Sequence, residues 1–583
     1  MKSTILSRRD LDFLLYEWLD VEKLTALERF AEHSRETFDG VLDLCEQLAT
    51  RYFAPHNKRS DADEPTFDGQ TVTLIPEVKE AWDAFASADL IGMGLDAEIG
   101  GAQLPATVAQ AAFAWIAAAN VSTSGYLMLT IANANLLAHF GTPEQIEAFV
   151  KPMLAGRFSG TMALSETQAG SSLADITTRA EPQSDGTYRL FGSKMWISGA
   201  EHELTENIVN LVLAKIPGGP AGTKGISLFI VPKYLADGTR NDVAISGLNH
   251  KMGQRGITNT VLNFDGAVGY LVGEPHRGIV YMFHMMNEAR LGVGMGAVAL
   301  GYTGYLKSVE YARGRPQGRP LGVKDPSTPQ VPIIEHADVK RMLLAQKAYV
   351  EGGLALLLYC AKLVDEGDNA VLDILTPIAK SWPSQWCLEA NSLAIQVHGG
   401  YGYTREYDVE QHYRDNRLNP IHEGTHGIQS LDLLGRKVTQ NGGASLVALG
   451  ERIAATVTTA HARSNEDPAR GGSAAELADQ LDTAWRRLVA VTGAMFASGD
   501  VEAAMANSAV YLEAFGHIVV AWIWLEQLLA AEKADGDFSD DFYRGKRQAA
   551  RYFYRYELPR TAPQLDLLES LDRTTLDMRD AWF

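Results

Sequence analysis

The stretch Asn419-Pro420-Ile421-His422-Glu423-Gly424-Thr425-His426-Gly427-Ile428-Gln429 admits two readings that lead to unrelated folds. Residues 422–426 satisfy H-E-x-x-H, in which two imidazoles one helical turn apart share a zinc ion while the glutamate polarises a water. That chemistry requires a helix through the motif. Pro420 lies just upstream, and Gly424 and Gly427 each weaken a helix by ~1 kcal/mol relative to Ala. No obvious third ligand follows at short spacing. In the second reading Pro420 and Gly424 shape a loop that leads into a helix beginning near Thr425. Glu423 then sits at the helix start with its carboxylate thrown outward. A lone loop glutamate is ordinarily just solvated, so the rest of the chain has to decide its role.

Helical periodicity surrounds this stretch, running from near Arg277 to about Leu434. Ahead of it, between roughly 160 and 272, lie short β-rich segments: Tyr188-Arg189-Leu190-Phe191, Lys194-Met195-Trp196-Ile197, Ile208 to Leu213, Ile226 to Val231 and Thr260 to Phe264. Turn formers such as Pro217-Gly218-Gly219-Pro220 punctuate them, which predicts a small antiparallel β-domain, a barrel. Residues from about 10 to 160 are helical in pattern. Ala106 to Leu137 reads as buried helix pairs, and Thr142 followed by Pro143 as a helix start. Downstream, Asn441-Gly442-Gly443-Ala444-Ser445 reads as a linker. A further helical segment follows, with Trp485, Phe496, Trp522 and Trp524 at helical positions and a polar, Gly-rich loop from Ser464 to Ser473. The expected fold is mainly α with a central β-domain. Its parts are an N-terminal helical domain (1–160), a β-barrel (161–272), a helical bundle (273–440) and an extra C-terminal helical domain (445–583) that packs on the rest and contributes to a homodimer.

Composition narrows the functions open to such a chain. Its 583 residues suit three or four domains at ~150 residues each. Against 52 Lys plus Arg stand 72 Asp plus Glu, a net charge of −20, which argues against nucleic acid and anionic membranes as partners. The cysteines, Cys45, Cys360 and Cys387, are odd in number and form no C-x-x-C pair, so a reducing compartment, the cytoplasm, is expected. The first ten residues meet charges before any signal-like apolar run. The apolar run Ile518 to Leu525 is far shorter than the ~20 residues of a membrane span, so none is expected. Gly292-Val293-Gly294-Met295-Gly296 resembles half a dinucleotide fingerprint. Helical sequence precedes it where a strand is needed, so the glycines are expected to serve close helix packing.

Four separated segments together resemble the acyl-CoA dehydrogenase family. They are Met162-Ala163-Leu164-Ser165-Glu166-Thr167-Gln168-Ala169-Gly170-Ser171, Lys194-Met195-Trp196-Ile197-Ser198, Gln396-Val397-His398-Gly399-Gly400-Tyr401-Gly402-Tyr403, and Glu423-Gly424-Thr425 followed by Gln429. Lys251-Met252-Gly253-Gln254-Arg255 and Arg414-Asp415 also match. The order is the family's, and coverage runs from about residue 40 to 437. The length and the extra C-terminal domain are similar to the longer bacterial members, including those related to 3-methylmercaptopropionyl-CoA dehydrogenase.

The resemblance implies an FAD enzyme that dehydrogenates an acyl-CoA thioester and passes electrons to electron-transferring flavoprotein, assembled as a homodimer or a dimer of dimers. It makes Glu423 the base. Met162, Leu164, Ser165, Gly170, Ser171, Trp196, Ile197 and Ser198 would line the flavin from the β-domain, and Gln396, Gly399, Gly400, Gly424 and Thr425 from the bundle. Arg315 and Gln317 would reach the FAD of a neighbouring subunit, where an arginine fork suits pyrophosphate oxygens. Ser171, Asn287, Arg290 and Gly424 would touch substrate. Without these neighbours, Ser165 reads as a turn hydroxyl, Trp196 as a core aromatic and Arg315 as a solvated surface arginine. Some family members carry the base just before the arginine corresponding to Arg290. That position is Ala289 here, with Glu288 one residue off. Thr167 replaces a usual Pro, which implies a less rigid loop. His422 replaces a common Tyr, which implies an altered environment for the base. An acyl-CoA oxidase, a flavin-binding protein that protects DNA and the zinc hydrolase are the competing readings.

Overall fold

The computed structural model describes residues 3–466, 468–532 and 540–583, and the chain divides into two compact units, Thr25–Gly292 and Met1–Leu24 with Val293–Phe583.

In the first unit helices α1 (Arg35–Leu48), α2 (Pro76–Ala86), α3 (Ala106–Ala119) and α4 (Val121–Phe140) precede the sheet. Alanine and large apolar residues occupy most positions of α3 and α4, and both helices are largely buried. Asn120 joins them: it ends α3 and its side chain accepts from Thr123 N to start α4. Thr142 forms a capping box with Gln145, and Pro143 follows it as the sequence predicts.

Seven strands follow: β1 (Phe158–Ala163), β2 (Arg179–Pro182), β3 (Tyr188–Ser198), β4 (Asn207–Lys215), β5 (Ile226–Pro232), β6 (Val243–Leu248) and β7 (Asn259–Leu271). The order β4-β2-β3-β7-β5 returns to β4, so the sheet closes into a barrel, with β1 flanking β4 and β6 flanking β7. Leu190, Val212, Phe229, Val231, Leu262 and Phe264 fill its interior. Two expectations change. The barrel is not wholly antiparallel, because β1 and β2 both run parallel to β4. The segments 188–191 and 194–197 are one strand interrupted by a bulge between Lys194 and Ile197.

Helix α5 (Gly278–Gly314) starts in this unit and continues into the other. The second unit adds α6 (Ala337–Glu366), α7 (Asn369–His398), α8 (Val409–Asn416) and α9 (His426–Asp432). The glycine run of α5 is helical. A Cβ on Gly294 would lie 2.3 Å from the Ala379 carbonyl oxygen, so that glycine serves helix packing and no dinucleotide fold is present there.

The C-terminal segment forms α10 (Ala444–Glu466), α11 (Pro468–Ala497), α12 (Ser508–Glu532) and α13 (Asp540–Tyr552). It packs on the bundle: Trp524 Nε1 donates to Ala348 O at 3.1 Å, and Gly352 leaves room for that indole. The fully buried Lys546 pairs with Asp10 and with Glu351. The linker expected at 441–445 is a tight turn, with Asn441, Gly442 and Gly443 at positive φ. Of the loop expected over 464–473, the described residues are helical, to Glu466 and again from Pro468, and Asp467 lies outside the described residues. The apolar run near 518 is part of a helix of 25 residues, long and apolar enough by composition to cross a membrane. Some 83% of its most apolar window is buried in protein, as in a core helix.

Candidate active site

The chain from Leu418 to Thr425 is a loop, strained at Glu423 and capped into α9. Glu423 has φ +52° and Gly424 φ +88°; the left-handed region costs a non-glycine residue ~1–3 kcal/mol. A Cβ on Gly424 would lie 2.5 Å from Gln429 Nε2, so glycine is required twice over. Thr425 caps α9, its hydroxyl accepting from Ile428 N at 3.2 Å. The loop's carbonyls are claimed from the protein side. Lys380 Nζ donates to Asn419 O at 2.8 Å and Gly424 O at 2.7 Å, and Gln429 Nε2 donates to Glu423 O at 3.0 Å. A chain of buried amides continues behind it. Asn419 Nδ2 donates to Asn416 Oδ1, and Asn416 Nδ2 to Asn391 Oδ1.

This geometry removes the zinc reading. His422 lies in the loop and His426 opens the helix, so the motif never forms the helical turn that two shared ligands need. His422 Nε2 meets Asn419 Oδ1 at 3.0 Å. Burial, aided by the Lys380 charge, pushes the His422 pKa down to about 3. A neutral imidazole donating to that amide oxygen adds no charge beside Glu423, which answers the question raised by its replacing a tyrosine.

In the barrel unit the two predicted loops are tied to each other. Met195 N donates to Ser165 O at 2.9 Å, and Lys194 Nζ donates to Leu164 O at 2.8 Å. The same ammonium pairs with the buried Glu166 carboxylate at 3.0 Å. That carboxylate also accepts from the backbone and hydroxyl groups of Thr177 and Thr178. Burial opposes the charge on Glu166, but Lys194 and the threonine donors outweigh it and hold the pKa at about 2. Glu166 and Ala169 also exchange backbone hydrogen bonds, so Thr167 in place of Pro does not leave the loop slack. The bulge at 194–197 turns Trp196 outward: φ is +67° and the residue is 60% exposed. An aromatic held exposed in a strained conformation is not a core residue, contrary to the plainer reading; it is an open platform. Met162 is the penultimate residue of β1 and is buried, Ile197 is buried, and Ser198 Oγ accepts from Asn259 Nδ2. Gly170 and Ser171 lie exposed farther along the first loop.

The bundle unit holds a recess of about 470 Å³ lined by Arg315, Gln317, His398, Gly399, Gly400 and Tyr401 among others. It unites four residues that the sequence places far apart. Arg315 lies over the Tyr401 ring at 5.3 Å, which is more structure than a solvated arginine requires. Cβ atoms on Gly399 and Gly400 would meet nothing within 4 Å, leaving room for a ligand against bare backbone. Arginine, aromatic and open glycines form a donor set that fits a dinucleotide phosphate. Gln396 is exposed on α7 outside this lining.

On α5, Asn287 is exposed and Arg290 is buried. Glu288 accepts from Asn135 Nδ2 at 3.2 Å and lies 4.0 Å from His284. Its recess admits water, since 42% of the side chain is accessible. The surrounding protein nevertheless pushes the carboxyl up to about 7, against the Asn135 donor. Sequence reasoning missed Lys380, the Asn391–Asn416–Asn419 chain, and the anchoring role of Glu166 with Lys194. The last pair was visible as one acid and one base inside adjacent motifs; Lys380 gave no local signal.

Known family domains match most of the chain's length. The acyl-CoA dehydrogenase N-terminal, middle and C-terminal domains match residues 36–157, 161–267 and 276–438. A domain described as acetyl-CoA dehydrogenase C-terminal like matches 449–579. The chain is 36% identical over 536 residues to 3-methylmercaptopropionyl-CoA dehydrogenase of Ruegeria pomeroyi, covering 89% of each chain. It is 33% identical over 609 residues to the broad-specificity linear acyl-CoA dehydrogenase FadE5 of Mycobacterium tuberculosis, covering 99% of each. Caenorhabditis elegans ACDH-11, solved with C11-CoA, shares the fold at TM-score 0.75 and 18% identity, over 99% of this chain and 91% of that one.

Proposed function

The chain belongs to the acyl-CoA dehydrogenase family, and from that premise we propose that Glu423 is the base of an α,β-dehydrogenation yielding a trans-2-enoyl-CoA. The protein is an FAD-dependent oxidoreductase acting on acyl-CoA. The observation that carries the assignment of the base is Glu423 itself: a carboxylate in a strained loop whose carbonyls are bound from behind by Lys380 and Gln429. A thioester α-proton is weakly acidic, so its removal needs a base fixed in place and fixed donors for the developing enolate oxygen. Glu423 takes the pro-R α-proton, and its own backbone N–H is one donor for the thioester oxygen. The chemistry that bound FAD would supply is the acceptor for the β-hydride, with electron-transferring flavoprotein as the proposed outlet for the electrons.

Ser165, Trp196 and Ser198 are proposed to hold the isoalloxazine, with Met162, Leu164, Gly170 and Ile197 beside them and Gly424 and Thr425 from the base loop. The Arg315 recess, with Gln317, Gly399 and Gly400, takes the phosphates of a neighbouring subunit's FAD, which is the argument for a homodimer or dimer of dimers; Gln396, outside the recess lining, is proposed as a further flavin contact. Ser171, Asn287 and Arg290 are the proposed CoA and acyl contacts, and the setting is cytoplasmic.

The test is a panel of acyl-CoA substrates assayed with an artificial electron acceptor, on protein whose bound FAD has been quantified. One FAD per chain and acceptor reduction without oxygen consumption are expected. Colourless protein, or no reduction with any acyl-CoA, contradicts the reading; rapid oxygen uptake with a good substrate makes the enzyme an oxidase.

A further inference from the structure

We infer that Lys380 is a positioning residue for the base: its ammonium, buried beneath the 419–426 loop, fixes the backbone on both sides of Glu423 and so the place of the carboxylate. The inference rests on the reading of Glu423 as the base.

Burying a charge is costly. Lys380 is fully buried, and an ammonium removed from water must regain its donors' partners inside the protein. Among its partners are Asn419 O at 2.8 Å and Gly424 O at 2.7 Å. These carbonyls bracket the loop, so one side chain joins its entry to its exit. A trans peptide points its N–H away from its C=O. Holding Gly424 O therefore aims the Thr425 N–H the opposite way, just as Gln429 at Glu423 O aims the Gly424 N–H. The positive φ values at Glu423 and Gly424 would relax in a loop left free; a clamp across both ends prevents it. From the other side, Asn416 Nδ2 ties this anchoring to the Ala297 carbonyl of α5 at 3.1 Å. A lysine suits the task because it offers several donors on a flexible stem and reaches two carbonyls from different parts of the loop.

The experiment uses full-length, FAD-loaded Lys380→Met and Lys380→Gln with Glu423→Gln in parallel. Limiting anaerobic flavin reduction and acyl-CoA Kd are measured separately. For Lys380→Met, reduction should slow ~10²-fold, the scale of a base displaced by about 1 Å, while Kd stays within ~3-fold and FAD content is unchanged. Lys380→Gln, which still donates to one carbonyl, should fall between Met and wild type. Wild-type reduction in Lys380→Met beside an inactive Glu423→Gln overturns the inference and leaves the base intact. Near-normal reduction in Glu423→Gln overturns both. If the Met variant loses FAD, the Gln variant decides: an unchanged limiting rate, or a loss confined to Kd, overturns the positioning role.

Discussion

Two carboxylates in this chain invite the same description and differ in how they are held. Glu288 sits on a regular turn of α5, with Asn135 as a donor, and its pKa is raised to about 7. A perturbed carboxyl in a recess is the common signature of a general base. Glu423 instead sits on a loop driven into the left-handed region, and the neighbouring carbonyls are fixed by Lys380 and Gln429. The surrounding protein raises Glu288 against the Asn135 donor even though its side chain stays partly accessible, and that shift requires no further design. Nothing about burial explains the Glu423 backbone. Strain retained and braced from behind is the mark of a site held for chemistry.

Substitutions sharpen that contrast. Glu423→Gln keeps size and hydrogen bonding, so acyl-CoA should still bind while exchange of the substrate α-proton into D2O slows at least ~10³-fold, as seen by NMR. Exchange at the wild-type rate would move the base elsewhere. Gly424→Ala adds a methyl toward Gln429 at a φ that disfavours it, so turnover should drop roughly 10²-fold with FAD retained. An alanine variant with wild-type kcat would show that the loop tolerates relaxation. Glu288→Gln should cost less than ~3-fold in kcat, and its clearer effect is on stability. The raised Glu288 pKa favours the folded state below the unfolded value near pH 4.5, and that contribution is lost as pH rises through about 7. Glutamine has no such loss, so the Tm difference between variant and wild type should become more favourable to the variant from pH 5 to pH 8. A pH-independent difference would mean the carboxyl is not raised. The smallest effect belongs to His422→Phe. With its pKa near 3 the imidazole is neutral at working pH, so the pH profile of flavin reduction should keep its midpoint. A displaced midpoint would make His422 a charged neighbour of the base.

The sequence shows the order of elements well because each has a local cause. Period, capping at Thr142 and glycine spacing reveal the helices and most strands, and Pro420 with Gly424 already speaks for a loop. The parallel pairing of β1 with β4 is not legible, since register and direction are settled between distant strands. The tight turn at 441–443 reads as a linker because glycine signals both. At the site, residues within motifs are found and residues behind them are not. Glu423 stands out beside glycine, whereas Lys380 is one lysine in a long helix until the fold places Gly424 O against it. Trp196 shows the converse. Its composition suggests core, and only the bulge reveals it as exposed.

Anaerobic stopped-flow bleaching of the oxidised-flavin band, run on wild type, Glu423→Gln and Glu288→Gln with saturating acyl-CoA, tests the assignment of the base most directly. The account predicts a loss of at least ~10³-fold for Glu423→Gln and less than ~3-fold for Glu288→Gln. Near-normal bleaching in Glu423→Gln with collapse in Glu288→Gln would place the base on α5 and contradict it.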